Sequence, residues 1–123
     1  VANPGRTIRV VNDQMGSFTW TYRLALQISL LLDSNLTGTV HATAEGYGSW
    51  FEGARLFLTA MGVNFNLEPC TTAEYPTPAH RPTNSILENR CLKECGLNRM
   101  VPWEEDIQRF AEQYHNELLA EAR

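Results

Sequence analysis

The chain has 123 residues, with ten Lys and Arg against fourteen Asp and Glu and a formal charge of −4. That length fits one small domain or a fragment and is short for a cofactor-binding enzyme. The basic residues form no stripe for a nucleic-acid backbone, and the longest apolar run, 24–32, is broken by Gln27 and Ser29 well short of the roughly 20 residues that span a bilayer, so neither nucleic acid nor membrane is expected as a partner.

In chain order, Thr7 to Val11 is a β-branched run that reads as a strand leading into a polar loop with Asp13 and Gln14. Leu24, Ile28, Leu31 and Leu32 recur at helical spacing and predict an amphipathic helix over 19–33, capped by Ser17 or Thr19. A second strand is expected over 38–42. Ser49 and Glu52 form a capping box opening a helix that Gly62 closes, and a third strand is expected over 63–67. Pro69, Pro76, Pro78 and Pro82 make 69–83 a long irregular connection, the kind that is usually functional or disordered. Ser85 and Glu88 read as another capping box, opening a helix that ends at Gly96. Pro102 starts the last helix, with Glu104, Glu105 and Asp106 at its positive end and Ile107, Phe110, Ala111, Tyr114 and Leu118 on one apolar stripe.

Three stretches carry a family signal. Tyr75-Pro-Thr-Pro-Ala79 followed by Arg81-Pro-Thr-Asn-Ser-Ile-Leu87 resembles the "tPAxRPxNSxL" segment of dTDP-4-dehydrorhamnose reductases, members of the extended short-chain dehydrogenase superfamily. Upstream, Arg9-Val-Val-Asn-Asp-Gln-Met-Gly-Ser-Phe-Thr19 resembles that family's "vVxDQxGxPT" segment, with Phe18 where the family has proline. Gly38-Thr-Val-His-Ala42 with Ser49-Trp50 resembles its "GtyHa…SW" stretch. The resemblance implies an α/β fold, short strands alternating with helices, in the C-terminal substrate-binding part of a Rossmann-type reductase.

The family's chemistry needs a glycine-rich dinucleotide turn and a Tyr-x-x-x-Lys pair. Gly46, Gly48 and Gly53 do not have the spacing of that turn, and no tyrosine has a lysine four residues on; Lys93 is the one lysine. The whole chain, 1–123, therefore reads as the C-terminal sugar-nucleotide-binding region of a longer enzyme, inactive alone, with no catalytic or cofactor-binding residue of its own and with NADPH bound by the missing N-terminal part.

Arg81 is the leading ligand candidate, because a guanidinium bridges two diphosphate oxygens and a proline-stiffened loop lowers the entropy cost of presenting it. The resemblance implies that phosphate role; unaided, a structural arginine that pairs a carboxylate or caps a helix is the simpler alternative. Asp13 and Gln14 sit at a strand end, where α/β folds place ligand contacts, or else Asp13 caps its own loop. Asn84 is a candidate for the nucleotide or sugar, while Ser85 is more simply a helix cap. Trp50 and Trp103, in the first turns of their helices, are expected to pack on the core. His80 beside Arg81 adds positive charge if protonated. Cys70, Cys91 and Cys95 are an odd set that suits reduced thiols in the cytoplasm, with Cys91 and Cys95 read as buried small side chains and not zinc ligands. No metal site is expected, and Glu104 to Asp106 are explained by the helix dipole.

The resemblance implies reduction of the C4 keto group of a dTDP-4-dehydro-6-deoxy-sugar, with the dTDP-sugar as partner and a homodimer as one possible assembly. The alternatives are a reductase-like regulatory subunit, as in methionine adenosyltransferase, or a related nucleotide-sugar epimerase. An upstream Tyr-x-x-x-Lys separates enzyme from regulator.

Overall fold

The computed structural model describes residues 6–122. Strand β1 (Thr7–Val11) forms where the β-branched run predicts it, and it pairs in parallel with β4 (Asn66–Cys70), Thr7 opposite Asn66 and Val11 opposite Cys70. A second, minimal sheet joins β2 (Met15–Gly16) to β3 (Gly48–Ser49) in antiparallel register. Helices α1 (Thr21–Leu32), α2 (Trp50–Ala60), α3 (Arg90–Glu94) and α4 (Trp103–Glu121) complete the fold, and α2 packs along α4 and against β1.

Several expectations are corrected, each by a competing use of the backbone. No strand forms over 38–42, because neither sheet offers that stretch a neighbour. Its downstream end is instead tied by a side chain. The buried Asn89 amide accepts from Thr43 N–H at 2.9 Å and donates to Thr43 C=O at 2.7 Å, doing the work of a paired strand. The third strand is displaced from 63–67 to Asn66–Cys70. Gly62 takes a left-handed φ of 63° and Val63 N–H closes onto Leu58 C=O, so Val63 completes the α2 terminus. Pro69 is then accepted within a two-stranded sheet, whose strands are both edges.

Helix α1 carries the largest surprise. Neither Ser17 nor Thr19 caps it; Trp20 holds the N-cap position without a side-chain bond. Ser17 donates to Gly46 C=O and the Thr19 hydroxyl accepts from Ala44 N–H, so both fasten the preceding loop to 44–46. The helix also mixes its faces. Gln27 is fully buried, donating to Leu97 C=O and accepting from Arg99 N–H, and Arg23 reaches inward to Asp106. Of the expected stripe, Leu24 and Leu31 are half-buried while Ile28 and Leu32 face outward with Tyr22 and Leu26, Leu32 with 81% of its surface exposed. The hydrophobic period is thus split between the inner and outer faces.

The capping box at Ser49 and Glu52 is present in both directions. The one expected at Ser85 is absent: Ser85 N–H and hydroxyl both donate to Met15 C=O, and the helix begins only at Arg90. Trp103 is buried as expected, whereas Trp50 is half exposed, its ring meeting Phe18 edge-on at 5.2 Å. Phe18, where the family has proline, also lies 5.1 Å from Trp103 and fills the space over Gly53. Cys95 is exposed and Cys91 half-buried, against the expectation that both are buried. Glu105 pairs with Arg109 at the surface, while Asp106 is buried in an ion pair, so the dipole alone does not account for the acidic triplet. Among the described residues no helix is long and apolar enough to cross a membrane.

Candidate functional site

The proline-punctuated segment is anchored at both of its ends by three consecutive residues at the end of the first strand. At the upstream end, Asp13 receives three bonds from Thr72. Thr72 N–H reaches both carboxylate oxygens at 2.9 Å, and the Thr72 hydroxyl donates to Oδ1 at 2.7 Å. Gln14 Nε2 donates to that same hydroxyl at 3.0 Å. Downstream, Met15 N–H donates to Thr83 C=O at 2.8 Å and Met15 C=O accepts from Ser85 N–H at 2.9 Å. Gly16 permits this approach, since a Cβ there would stand 2.8 Å from Ser85 Oγ.

Thr71 and Glu74 bracket a 3₁₀ turn, Thr72–Glu74, with a reciprocal capping box. Arg9 on β1 adds an ion pair to Glu74 at 2.7 Å. The bond from Thr71 N–H, then those from Arg9 and the Thr71 hydroxyl, bring the Glu74 carboxyl down to about 2. Asp13 is likewise held below the usual carboxylate range, first by Thr72 N–H and then by its hydroxyl.

The segment so held encloses a hollow of about 460 Å³ lined by Thr72, Pro76, Thr77, His80, Arg81 and Asn84 among others. Its lining has no carboxylate. Arg81 makes no ion pair among the described residues, unlike the structural arginine of the simpler reading. Asn84 Oδ1 accepts from Ile86 N–H at 2.9 Å, fixing the side chain beside this hollow. A guanidinium, an imidazole, hydroxyls and an amide around one space suit a ligand with anionic oxygens.

A second hollow of about 600 Å³ opens on the other side of the 13–16 stretch. Gln14, Ser17, Thr19, Thr43, Ser85 and the Arg23-paired Asp106 are its polar residues, and Phe18, Trp20, Trp50, Phe57 and Phe110 most of its wall. Aromatic walls with a few directed polar groups are usual for sites that take rings and sugars. Of the four sequence candidates, Arg81 and Asn84 line the first hollow and Gln14 the second. Asp13 lines neither and is bonded to Thr72, 59 residues away, and so does not cap its own loop.

Sequence reasoning missed Thr72, to which both Asp13 and Gln14 are bonded. The capping-box spacing of Thr71-Thr-Ala-Glu74 marks the turn that carries it, though not its bond to Asp13. It also missed the hub at Glu45, which takes Lys93 at 2.9 Å, Asn89 at 2.9 Å and Asn98 at 2.7 Å. Burial opposes ionisation of Glu45, yet those three donors outweigh it and leave the carboxyl below its ordinary value. Among the described residues, no group of three or more His, Cys, Asp or Glu side chains is gathered to hold a metal ion.

The family model described as RmlD substrate binding domain matches residues 1–116. The spore coat polysaccharide biosynthesis protein SpsK of Bacillus subtilis is 32% identical over 113 residues, 92% of this chain and 39% of that protein. The dTDP-4-dehydrorhamnose reductase of Mycolicibacterium smegmatis is 33% identical over 82% of this chain and 32% of its own length. Among solved structures, the dTDP-4-dehydrorhamnose reductase of Bacillus anthracis, in complex with NADP, superposes with a TM-score of 0.81 at 35% identity, over 88% of this chain and 38% of that one. The Clostridium acetobutylicum structure of a protein so named gives 0.84 at 33% identity, over 87% and 38%. The chain thus spans roughly a third to two fifths of the relatives it matches.

Proposed function

Because the chain belongs to the RmlD substrate binding domain family, we propose that residues 1–123 form the sugar-nucleotide-binding region of a dTDP-4-dehydrorhamnose reductase. The whole enzyme reduces the C4 keto group of a dTDP-4-dehydro-6-deoxy-L-mannose to give dTDP-L-rhamnose. The observation that carries this reading is the placement of Arg81, without an ion pair among the described residues, on a carboxylate-free hollow, in a chain whose relatives include proteins named dTDP-4-dehydrorhamnose reductase.

Arg81 receives the diphosphate, a doubly charged group that its fork of donors bridges in one plane. Asn84 and the hydroxyls of Thr77 and Thr83 complete the donor set. The aromatic hollow beyond Gln14 and Ser85 takes the less charged remainder of the ligand. NADPH supplies hydride at C4, and the groups that bind it and donate the accompanying proton belong to the part of the reductase outside this chain. What these residues contribute is uniform binding and orientation. Three free thiols, Cys70, Cys91 and Cys95, fit the reducing cytoplasm in which such an enzyme works.

The test follows NADPH oxidation by the complete reductase with dTDP-4-dehydro-6-deoxy-L-mannose, comparing wild type with Arg81→Ala. Loss of a charge-assisted contact should raise KM roughly ten- to a hundredfold with kcat little changed. An Arg81→Ala enzyme with unaltered KM removes Arg81 from the phosphate site. Absence of oxidation by a folded, cofactor-loaded wild type replaces the reductase reading with that of a regulatory subunit.

A further inference from the structure

Asp13 sits in one of the stretches that resemble the reductases, yet both oxygens of its carboxylate are occupied by Thr72. We propose that Asp13 and Thr72 act as a positioning pair, setting the proline segment so that Arg81 and Asn84 converge on the ligand, and that Asp13 does not itself touch the ligand. This rests on the reading of that segment as the diphosphate site.

Three observations converge on it. Thr72 lines the same hollow as Arg81 and Asn84, whereas Asp13 lines neither hollow. An anionic oxygen placed in a basic hollow for direct ligand contact would repel a diphosphate, so the carboxylate is better directed away, onto backbone and hydroxyl donors. Finally, the two anchor points are of different kinds. The downstream end is held to Met15 mainly by backbone bonds that no side-chain substitution removes. At the upstream end β4 delivers the chain by backbone pairing and Arg9 holds Glu74, but Thr72 itself is fixed by the Asp13 carboxylate, its own hydroxyl and Gln14. Without those bonds Thr72 is held only through its neighbours, and the wall it shares with Arg81 and Asn84 loosens.

The experiment titrates the complete reductase with dTDP, following ¹H–¹⁵N resonances, in wild type, Thr72→Val, Thr72→Ser, Asp13→Ala and the double variant Asp13→Ala/Thr72→Val, with Arg81→Ala as reference. Valine matches threonine in shape, so the fold is expected to persist; Thr72→Ser keeps the hydroxyl. Thr72→Val should weaken dTDP roughly tenfold, as loss of a charge-assisted bond implies. Asp13→Ala should weaken it to a similar extent, the double variant no further than the worse single one, and Thr72→Ser should bind as wild type. Non-additivity of that kind is the mark of two residues acting as one unit. Weakening by Asp13→Ala but not by Thr72→Val, or effects that add in the double variant, would mean direct contact by Asp13 and overturn the inference. If Arg81→Ala weakens dTDP while Thr72→Val does not, the positioning pair falls and the diphosphate site stands. If wild type shows no dTDP-induced shifts, the site reading falls and the inference with it.

Discussion

Arg23 on α1 grips Asp106 on α4 through two nitrogens, Nη2 at 2.8 Å and Nε at 3.2 Å from the same carboxylate oxygen. Asp106 is 1% exposed and Arg23 14%, so the pair is withdrawn from water. The hydrogen bond to Asp106, ahead of the burial that opposes it, raises the Arg23 guanidinium above its already high ordinary value.

Removing one partner of a buried pair strands the other charge. Arg23→Ala is expected to cost about 3–5 kcal/mol of stability, while a joint Arg23→Met/Asp106→Leu replacement should cost far less. Urea denaturation of the single and joint variants checks this. A single variant within 1 kcal/mol of wild type would show that water reaches Asp106.

Gly53 gives room to Phe18: a Cβ at 53 would lie 2.7 Å from Phe18 Cζ. Gly53→Ala should therefore destabilise by about 1–3 kcal/mol through overpacking, although alanine is the better helix former. Phe18→Leu in the same chain should recover most of the loss. If Gly53→Ala instead raises the melting temperature, the ring is free to move away.

Glu74 sets an acid limit on the proline segment. Its folded value of about 2 lies below the ordinary 4.5, so its stabilising contribution is complete above about 4.5 and is lost as pH falls from there towards 2. Carboxyl NMR titration should place its midpoint below 3. Arg9→Gln should move that midpoint upward without restoring 4.5, because the bond from Thr71 N–H is the larger cause. A wild-type midpoint near 4.5 would mean that the capping box is open in solution.

On α1 an exposed leucine and a buried glutamine invert the usual effect of surface design. Leu32→Lys, at an 81% exposed position, should change stability by less than about 0.5 kcal/mol. Gln27→Leu, the more hydrophobic choice, should cost about 1–3 kcal/mol by orphaning Leu97 C=O and Arg99 N–H. Thermal melts of the two variants decide, and the opposite ranking would contradict the placement of the helix.

Local signals were legible where the backbone had no better offer. The β-branched run of β1, the Ser49–Glu52 box, Gly62 and the start of α4 all appear as their residues imply. Two failures share one cause, a partner distant in sequence: Ser85 is taken by Met15 and Thr19 by Ala44, so each leaves the element its own neighbourhood suggests. Val63 is claimed locally instead, by Leu58 at the end of α2. The burial of Gln27 between Leu24 and Leu31 on α1 was invisible because hydrophobic periodicity does not register a polar residue bonded to distant backbone. For the site, Arg81 and Asn84 could be nominated from the motif. Thr72 required the 59-residue link to Asp13 to be seen.

With both ends of 73–82 fastened to one short stretch, the intervening residues form an exchangeable cassette. Doubling such a loop adds only about 0.6 kcal/mol of closure entropy, so two glycines inserted after Ala79 should leave the melting transition nearly in place while lowering affinity for dTDP. A large drop in melting temperature would show instead that the cassette is part of the core. Apart from Glu74, whose capping box and ion pair to Arg9 belong to the fold, the cassette is then open to exchange by grafting at little cost in stability.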